Sequence, residues 1–286
     1  MKKAFMVFLV LVVISGCSTP KAELPEISTI EINAENVVVY VKQNLDKGTF
    51  PSLKSNFKFL DSSNFSFWWT AKDNTNVYLE PILLIGASIP VSSFDLTPTV
   101  IEELNFNLSP IVSNIDASLT DLGFTKSLEN SSKDLADQSM YDYILAYENN
   151  DTKCSFILNR DFYISEEDSS QNNASILFTC SDQFQSNYEY QKQYVDALTQ
   201  NELINGNEIV VYDVTNHESG FFTVAFAQRR TGAYAILRTT DDGLEVLYTG
   251  QESPYCSLVE EYQIPFSAVN NCYNQEGTEL LLNPNR

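Results

Sequence analysis

The sequence predicts an α+β protein of two domains, each a mainly antiparallel sheet with helices packed on one side. Three observations lead there. Short runs of alternating apolar and polar residues recur between turn signals, above all over 208–248. Between such runs lie two stretches with helical apolar spacing, one beginning at Ile111 and one at Asn187. Hydrophobic residues make up 43% of the chain and aromatic residues 12%, enough to fill packed cores.

The elements follow in chain order. Met1-Lys2-Lys3 is basic, and residues 4–14 form an unbroken apolar run in the roughly 7–15-residue range of a signal peptide. Crossing a bilayer takes roughly 20 apolar residues. Ile14-Ser15-Gly16-Cys17 then places a branched aliphatic and two small residues before a cysteine. This segment resembles the bacterial lipoprotein signal. The resemblance implies diacylglycerol on the Cys17 thiol, cleavage after Gly16 by the lipoprotein signal peptidase, and acylation of the new amine, for example by palmitate. Several acyl chains hold a protein stably on a membrane, at about 0.8 kcal/mol per buried methylene. Residues 1–16 are thus expected to be a signal peptide and 17–30 a lipidated tether with Pro20 and Pro25. The implied location is extracytoplasmic, anchored to the cell membrane or the outer membrane. Ser18 after the cysteine fits, among lipoproteins of two-membrane bacteria, the pattern for the outer one. An ordinary secretory signal with a chance cysteine is the alternative.

Without Lys2 and Lys3 the chain keeps fifteen basic residues against thirty-eight acidic ones, a formal charge of −23. Nucleic acid and anionic headgroups are poor partners for such a chain. Its partners are instead expected to be the membrane, through the Cys17 lipid, and an envelope protein or carbohydrate.

The remaining cysteines, Cys154, Cys180, Cys256 and Cys272, number four. An even count in an oxidising compartment reads as two disulfides. Segments 153–159 and 175–181 look like strands, and setting Cys154 opposite Cys180 also sets Phe156 opposite Phe178 and Leu158 opposite Ile176. Cys256–Cys272 follows by elimination. A metal site needs closely spaced pairs such as C-x-x-C, and the sequence has none.

Over 35–45 the β-branched run Val37-Val38-Val39 suits a strand, whereas the polar flanks favour a helix, and a short helix is the expectation. Phe65, Phe67 and Trp69 alternate onto one face of a strand, which sends Ser66, Trp68 and Thr70 to the other. A strand over 77–85 is expected next. Thr97-Pro98 and Ser109-Pro110 each put a capping hydroxyl before a proline, predicting two consecutive helices, the second ending at Gly123. Strands follow over 140–147, 153–159 and 175–181, the last two joined by a polar loop containing Glu166-Glu167-Asp168. The helix over 187–198 carries Tyr190, Tyr194, Ala197 and Leu198 on one face. Runs at 208–214, 220–229, 233–239 and 244–248 then describe a meander, with Thr231-Gly232 and Asp242-Gly243 as its tight turns. A helix and the Cys256–Cys272 segment close the chain. Domains are expected over 31–184 and 185–286, with the boundary near 182–186. The residues Leu247-Tyr248-Thr249-Gly250-Gln251, Pro254-Tyr255-Cys256 and Tyr262-Gln263-Ile264-Pro265 to Cys272-Tyr273 resemble the C-terminal module of uncharacterised exported proteins of candidate-phyla (Patescibacteria-type) bacteria. That resemblance implies a context and no mechanism.

Candidate chemistry is sparse. His217, the single histidine, is followed by Glu218, but no G-x-S-x-G elbow accompanies it. It reads as a turn residue, and no catalytic residue is assigned. Glu166-Glu167-Asp168, Asp241-Asp242 and Glu260-Glu261 read as solvated loop, turn and helix face, and none forms a calcium loop. No cofactor is expected: phosphate-binding glycine motifs are missing, and Gly206, Gly220, Gly232 and Gly243 fit turns. Arg229-Arg230 reads as solvated. Trp68 has two readings, a core residue under covering helices or an exposed ring that stacks on a sugar or anchors a partner. The expected function is therefore a binding or interaction lipoprotein of the cell envelope. Its alternatives are an envelope-remodelling hydrolase with an acid-based site and a structural or assembly accessory.

Overall fold

The computed structural model describes residues 31–63, 65–90, 98–132, 143–159, 164, 173–200, 209–228 and 231–282. Cys17 and the tether, Thr97, the 166–168 acids, Gly206 and Arg229-Arg230 lie outside the described residues. The fold is α+β. Its first six-stranded sheet takes the order β1-β4-β8-β7-β6-β5 from β1 (Lys58–Leu60), β4 (Leu83–Pro90), β5 (Thr125–Ser132), β6 (Tyr143–Asn149), β7 (Thr152–Asn159) and β8 (Asn173–Ser181), all antiparallel. The second takes the order β12-β11-β10-β9-β3-β2 from β2 (Phe67–Thr70), β3 (Asn76–Leu79), β9 (Ile209–Asn216), β10 (Phe221–Gln228), β11 (Thr231–Thr240) and β12 (Gly243–Gly250). Only its β3–β9 pair is parallel.

Helix α1 (Ala34–Lys47) forms over the β-branched run because that run is buried: Val37, Val38 and Val41 are closed to solvent, and the helix packs on β4, β7 and β8. Tertiary burial overrides the weak helix propensity of valine. Asn33 caps its N-terminus by accepting from the Asn36 N–H, and the Asp182 carboxylate accepts the Ala34 N–H at 2.6 Å. Glu35 in the first turn and Lys47 in the last suit the helix dipole.

The two helices expected around Ser109-Pro110 are one, α2 (Pro98–Asp121), with Pro110 inside it. Leu108, Ile111, Ile115 and Leu119 form one continuous buried stripe across the proline. Burying that stripe offsets the roughly 3 kcal/mol that an interior proline costs. Its end follows the sequence: Gly123 adopts φ +77°, its N–H reaches Thr120 O, and Phe124 N–H reaches Leu119 O. That is a Schellman cap, with Leu119 and Phe124 both buried beside it.

The single strand expected over 77–85 is two, β3 and β4, in different sheets. Between them lie Glu80-Pro81-Ile82, where Pro81 has no N–H for a ladder. Strands β7 and β8 pair in the expected register, Cys154 opposite Cys180, Phe156 opposite Phe178 and Leu158 opposite Ile176. Every residue of both is buried, because α1 lies on one face of the sheet while Ile157 and Leu177 on the other pack against Phe67, Trp69, Val77 and Leu79 of the second sheet.

Helix α3 (Phe184–Gln200) buries Tyr194, Val195, Ala197 and Leu198 against β9–β11, and Gln191 beside β3. Tyr190, expected on that face, instead stands at its border, 45% exposed and edge-on to Tyr194 at 5.4 Å. The meander β9–β12 is present, but its turns shift. Gln228 pairs with Thr231 and Ala227 with Gly232, so Thr231-Gly232 belong to β11. Thr240 pairs with Gly243, so Asp241-Asp242 make the second turn and Gly243, at φ +123°, opens β12. A third layer of α4 (Cys256–Tyr262), β13 (Asn271–Tyr273) and β14 (Glu279–Leu281) buries Val259, Ile264, Val269 and Cys272 against Phe221 and Ile236. The Cα atoms of Cys154–Cys180 lie 4.0 Å apart and those of Cys256–Cys272 4.9 Å apart, and both pairs are disulfides.

The described residues from 31 onward form one compact unit. The second sheet spans the boundary read near 182–186, taking β2 and β3 from one side and β9–β12 from the other.

Candidate binding face

Phe67 and Trp69 enter the core between the sheets, and alternation along β2 turns Trp68 outward, where 44% of it is exposed. The covered-core reading of Trp68 does not hold. Directly opposite it in the β2–β3 register stands Tyr78, hence on the same sheet face. Tyr78 in turn contacts Tyr212 of β9, with ring centroids 6.4 Å apart and planes at 52°. Tyr212 is also 44% exposed. Three aromatic side chains thus follow one another across three neighbouring strands.

Each of the three is placed by a specific backbone device. Strand β2 is an edge strand, and its Thr70 is met by the Asn130 amide, which accepts from Thr70 N–H at 2.6 Å and donates to Thr70 O at 3.2 Å. Asn130 itself sits in an irregularity of β5, where five steps from Ser127 to Ser132 span only two on β6, from Ala146 to Ile144. On β3, Gln191 of α3 treats Tyr78 the same way, accepting its N–H at 2.8 Å and donating to its carbonyl at 2.9 Å. On β9, Val211 pairs with Phe226 and Asp213 with Ala225, which leaves Tyr212 as the extra residue of a β-bulge. Bulges re-aim side chains and recur beside functional sites. Gly232 lies under the far end of Tyr212: a Cβ built there would stand 3.7 Å from the tyrosine hydroxyl.

Polar groups flank the strip on both sides. A hollow of about 370 Å³ beside Tyr78 is lined by Ser62, Ser63, Phe65, Glu80 and Pro81, and one of about 200 Å³ beside Trp68 mixes Thr70, Glu129, Asn130, Ser131 and Ser155 with the apolar Phe67, Ile144 and Ile157. Thr70 Oγ1 donates to Asn76 Oδ1 at 2.9 Å between the two strands.

A larger cleft of about 860 Å³ lies on the other side of Asn130 and contains four carboxylates, those of Asp73, Glu129, Glu148 and Asp151. Its floor is Lys153, only 5% exposed, whose Nζ donates to Glu148 Oε2 and Asn150 O, both at 2.8 Å, and stands 5.2 Å from the Trp69 ring centroid and 4.8 Å from that of Phe184. Asp151 accepts the Gln185 N–H at the start of α3. Burial pushes the Asp73 carboxyl upward, but hydrogen bonds from Thr75 and Tyr188 and the Lys192 charge together outweigh it and hold Asp73 below the ordinary carboxylate range. A general acid for hydrolysis needs the opposite shift.

His217 sits at the mouth of the β9–β10 hairpin, its Nε2 2.8 Å from Thr223 Oγ1. Burial lowers its pKa, and the neighbouring Glu218 opposes that only in part. The described residues contain no group of three His, Cys, Asp or Glu side chains able to hold a metal ion, and no helix among them is long and apolar enough to cross a membrane.

Tyr78 and Tyr212 are not singled out by the sequence, although each occupies an alternating position beside buried valines. What brings them together is a parallel β3–β9 contact between residues more than a hundred positions apart. Comparison with protein-family models, with curated proteins and with solved structures finds no match to this chain.

Proposed function

We propose that this chain is a lipid-anchored, extracytoplasmic binding protein of the cell envelope, and that it holds its ligand on the face carrying Trp68, Tyr78 and Tyr212. The observation that carries the reading is the placement of three adjacent aromatic side chains at a solvent-facing part of a sheet, two of them 44% exposed. Half-exposed Trp and Tyr combine apolar area with polar edges and are the side chains most enriched where binding energy concentrates. The lipobox at Cys17 supplies the address.

The hydrolase alternative would draw on the acids of the large cleft. There Glu148 pairs with Lys153, Asp151 caps α3, and hydrogen bonds with the Lys192 charge hold Asp73 below the ordinary carboxylate range, so three of the cleft's four acids have structural partners.

Co-sedimentation of the full chain, kept in detergent micelles so that its acyl chains cannot insert, with delipidated envelopes tests the reading. Trp68→Ala with Tyr212→Ala is expected to lose at least about tenfold in retention, the effect of removing contacts worth more than 1 kcal/mol each. Unchanged retention of the double variant would refute the binding face. Cys17→Ser should leave an uncleaved precursor that takes up no palmitate, and normal processing of that variant would refute the anchor.

A further inference from the structure

Resting on that reading of the face, we infer that its occupant is a neutral, linear glycan that runs across strands β2, β3 and β9 rather than along them. The direction comes from the register. Trp68 and Tyr78 are cross-strand partners, and Tyr78 and Tyr212 are ring neighbours on the next pair of strands. The aromatic row is therefore perpendicular to the strands, stepping by about 4.8 Å from strand to strand. A chain of pyranose rings presents apolar C–H faces at a comparable repeat. The 52° between the Tyr78 and Tyr212 planes makes the row twisted, as a glycan chain is when successive sugars turn about their linkages.

The chemistry of the surroundings narrows the class. Sugar hydroxyls need donors and acceptors beside the stacking rings, and the strip is bordered by Ser62, Ser63 and Glu80 at the Tyr78 hollow and by Thr70, Glu129 and Asn130 at the Trp68 hollow. Among the described residues each hollow is lined by a carboxylate and neither by a cation, within a chain of formal charge −21. Uronate- or sulfate-rich polymers are repelled from such a surface.

A protein partner fits the same face less well. A stable protein interface buries about 800 Å² on each side. An aromatic side chain buries 150–250 Å² when fully covered, so three that are already half covered offer roughly 300 Å². Beneath the far end of Tyr212 the surface is formed by small residues, Gly232 and its pair Ala227. Small neighbours offer a ledge for a ring and no deep pocket for an anchoring side chain.

The test uses the full-length lipoprotein in detergent micelles, so that its acyl chains cannot insert, and delipidated envelopes of the source bacterium, divided into untreated, periodate-oxidised and protease-digested samples. Periodate cleaves vicinal diols and spares most peptide; protease does the reverse. Retention on envelopes is expected to fall at least about tenfold after periodate and to survive protease, the size set by loss of contacts worth more than 1 kcal/mol. Retention that depends on Trp68 but is lost to protease and resists periodate would overturn the glycan while leaving the binding face intact. Retention independent of Trp68 would overturn both. Two single variants separate ring stacking from simple apolar contact and from misfolding. Trp68→Tyr keeps a π face and should retain binding within about threefold, whereas Trp68→Leu keeps apolar area without a ring and should lose about tenfold. Equal binding by the two would overturn stacking.

Discussion

The side-chain amide of Gln191 serves Tyr78 as a missing strand would, with its Oε1 accepting the Tyr78 N–H at 2.8 Å and its Nε2 donating to the Tyr78 carbonyl at 2.9 Å. Strand β3 meets β9 only at Asn76 and Val77, so beyond that point its backbone turns to α3 for partners. Asn187 adds a second donor to the same carbonyl at 3.1 Å. Gln191 is 7% exposed, which makes water a poor replacement.

Gln191→Met, similar in size but without the amide, should therefore lower stability by about 2 kcal/mol, the cost of leaving a buried backbone donor unpaired. Urea denaturation checks this as a fall in midpoint at unchanged slope. A midpoint equal to that of the wild type would show that the amide does not hold β3.

The two disulfides differ more in accessibility than in the stability their loops confer. Cys154 and Cys180 are fully buried in the first sheet, while Cys256 reaches partly to the surface beside its buried partner Cys272. Mild reductant on the native protein should open Cys256–Cys272 first and leave Cys154–Cys180 closed until denaturant is added, since thiol–disulfide exchange needs access to a sulfur. Alkylation and intact mass after each step count the thiols; four at once would contradict the order. Loops of 26 and 16 residues give each bond about 3–4 kcal/mol in the chain-entropy model.

Lys153 and Glu148 form an asymmetric pair, the lysine side chain 6% exposed and the glutamate 42%. Lys153→Met keeps the packing between Trp69 and Phe184 and leaves a carboxylate that water solvates, so a loss under about 1 kcal/mol is expected. Glu148→Ala strands the buried ammonium on Asn150 O and the two rings, and should cost about 3 kcal/mol. Chemical denaturation of the two variants side by side decides this; a larger loss for Lys153→Met would reverse the assignment of the penalty.

His217 gives a pH dependence with a definite sign. Its pKa in the fold lies below the ordinary value of 6.5 because burial disfavours the imidazolium, with Glu218 opposing in part. As pH falls, the unfolded chain takes up this proton first. The stability that the neutral ring contributes is thus whole above about 6.5 and drains away as pH falls through the folded value. In urea titrations from pH 7.5 to 5.5, His217→Gln should flatten the acid-side decline relative to wild type. Parallel curves would place the decline in other groups.

Sequence alone determines what is decided between near neighbours. The Cys154–Cys180 register is readable because two adjacent strands must align their apolar positions as well as their sulfurs, and the stop at Gly123 because a left-handed residue ends a helix locally. The meander is readable for the same reason, down to a shift of its turns. The outward direction of Trp68 follows from period two, but its exposure does not, since nothing in the residues around it says what covers that face. Three things are set by the tertiary structure: α2 continuing through Pro110, β3 leaving β4 to lie parallel to β9, and Lys153 sinking between Trp69 and Phe184. Each trades a local preference against burial of a surface supplied by residues distant in the chain. The aromatic row of Trp68, Tyr78 and Tyr212 exists only once β3 lies beside β9, because Tyr212 comes from a strand distant in the chain that the sequence does not mark as a neighbour of the β2–β3 pair.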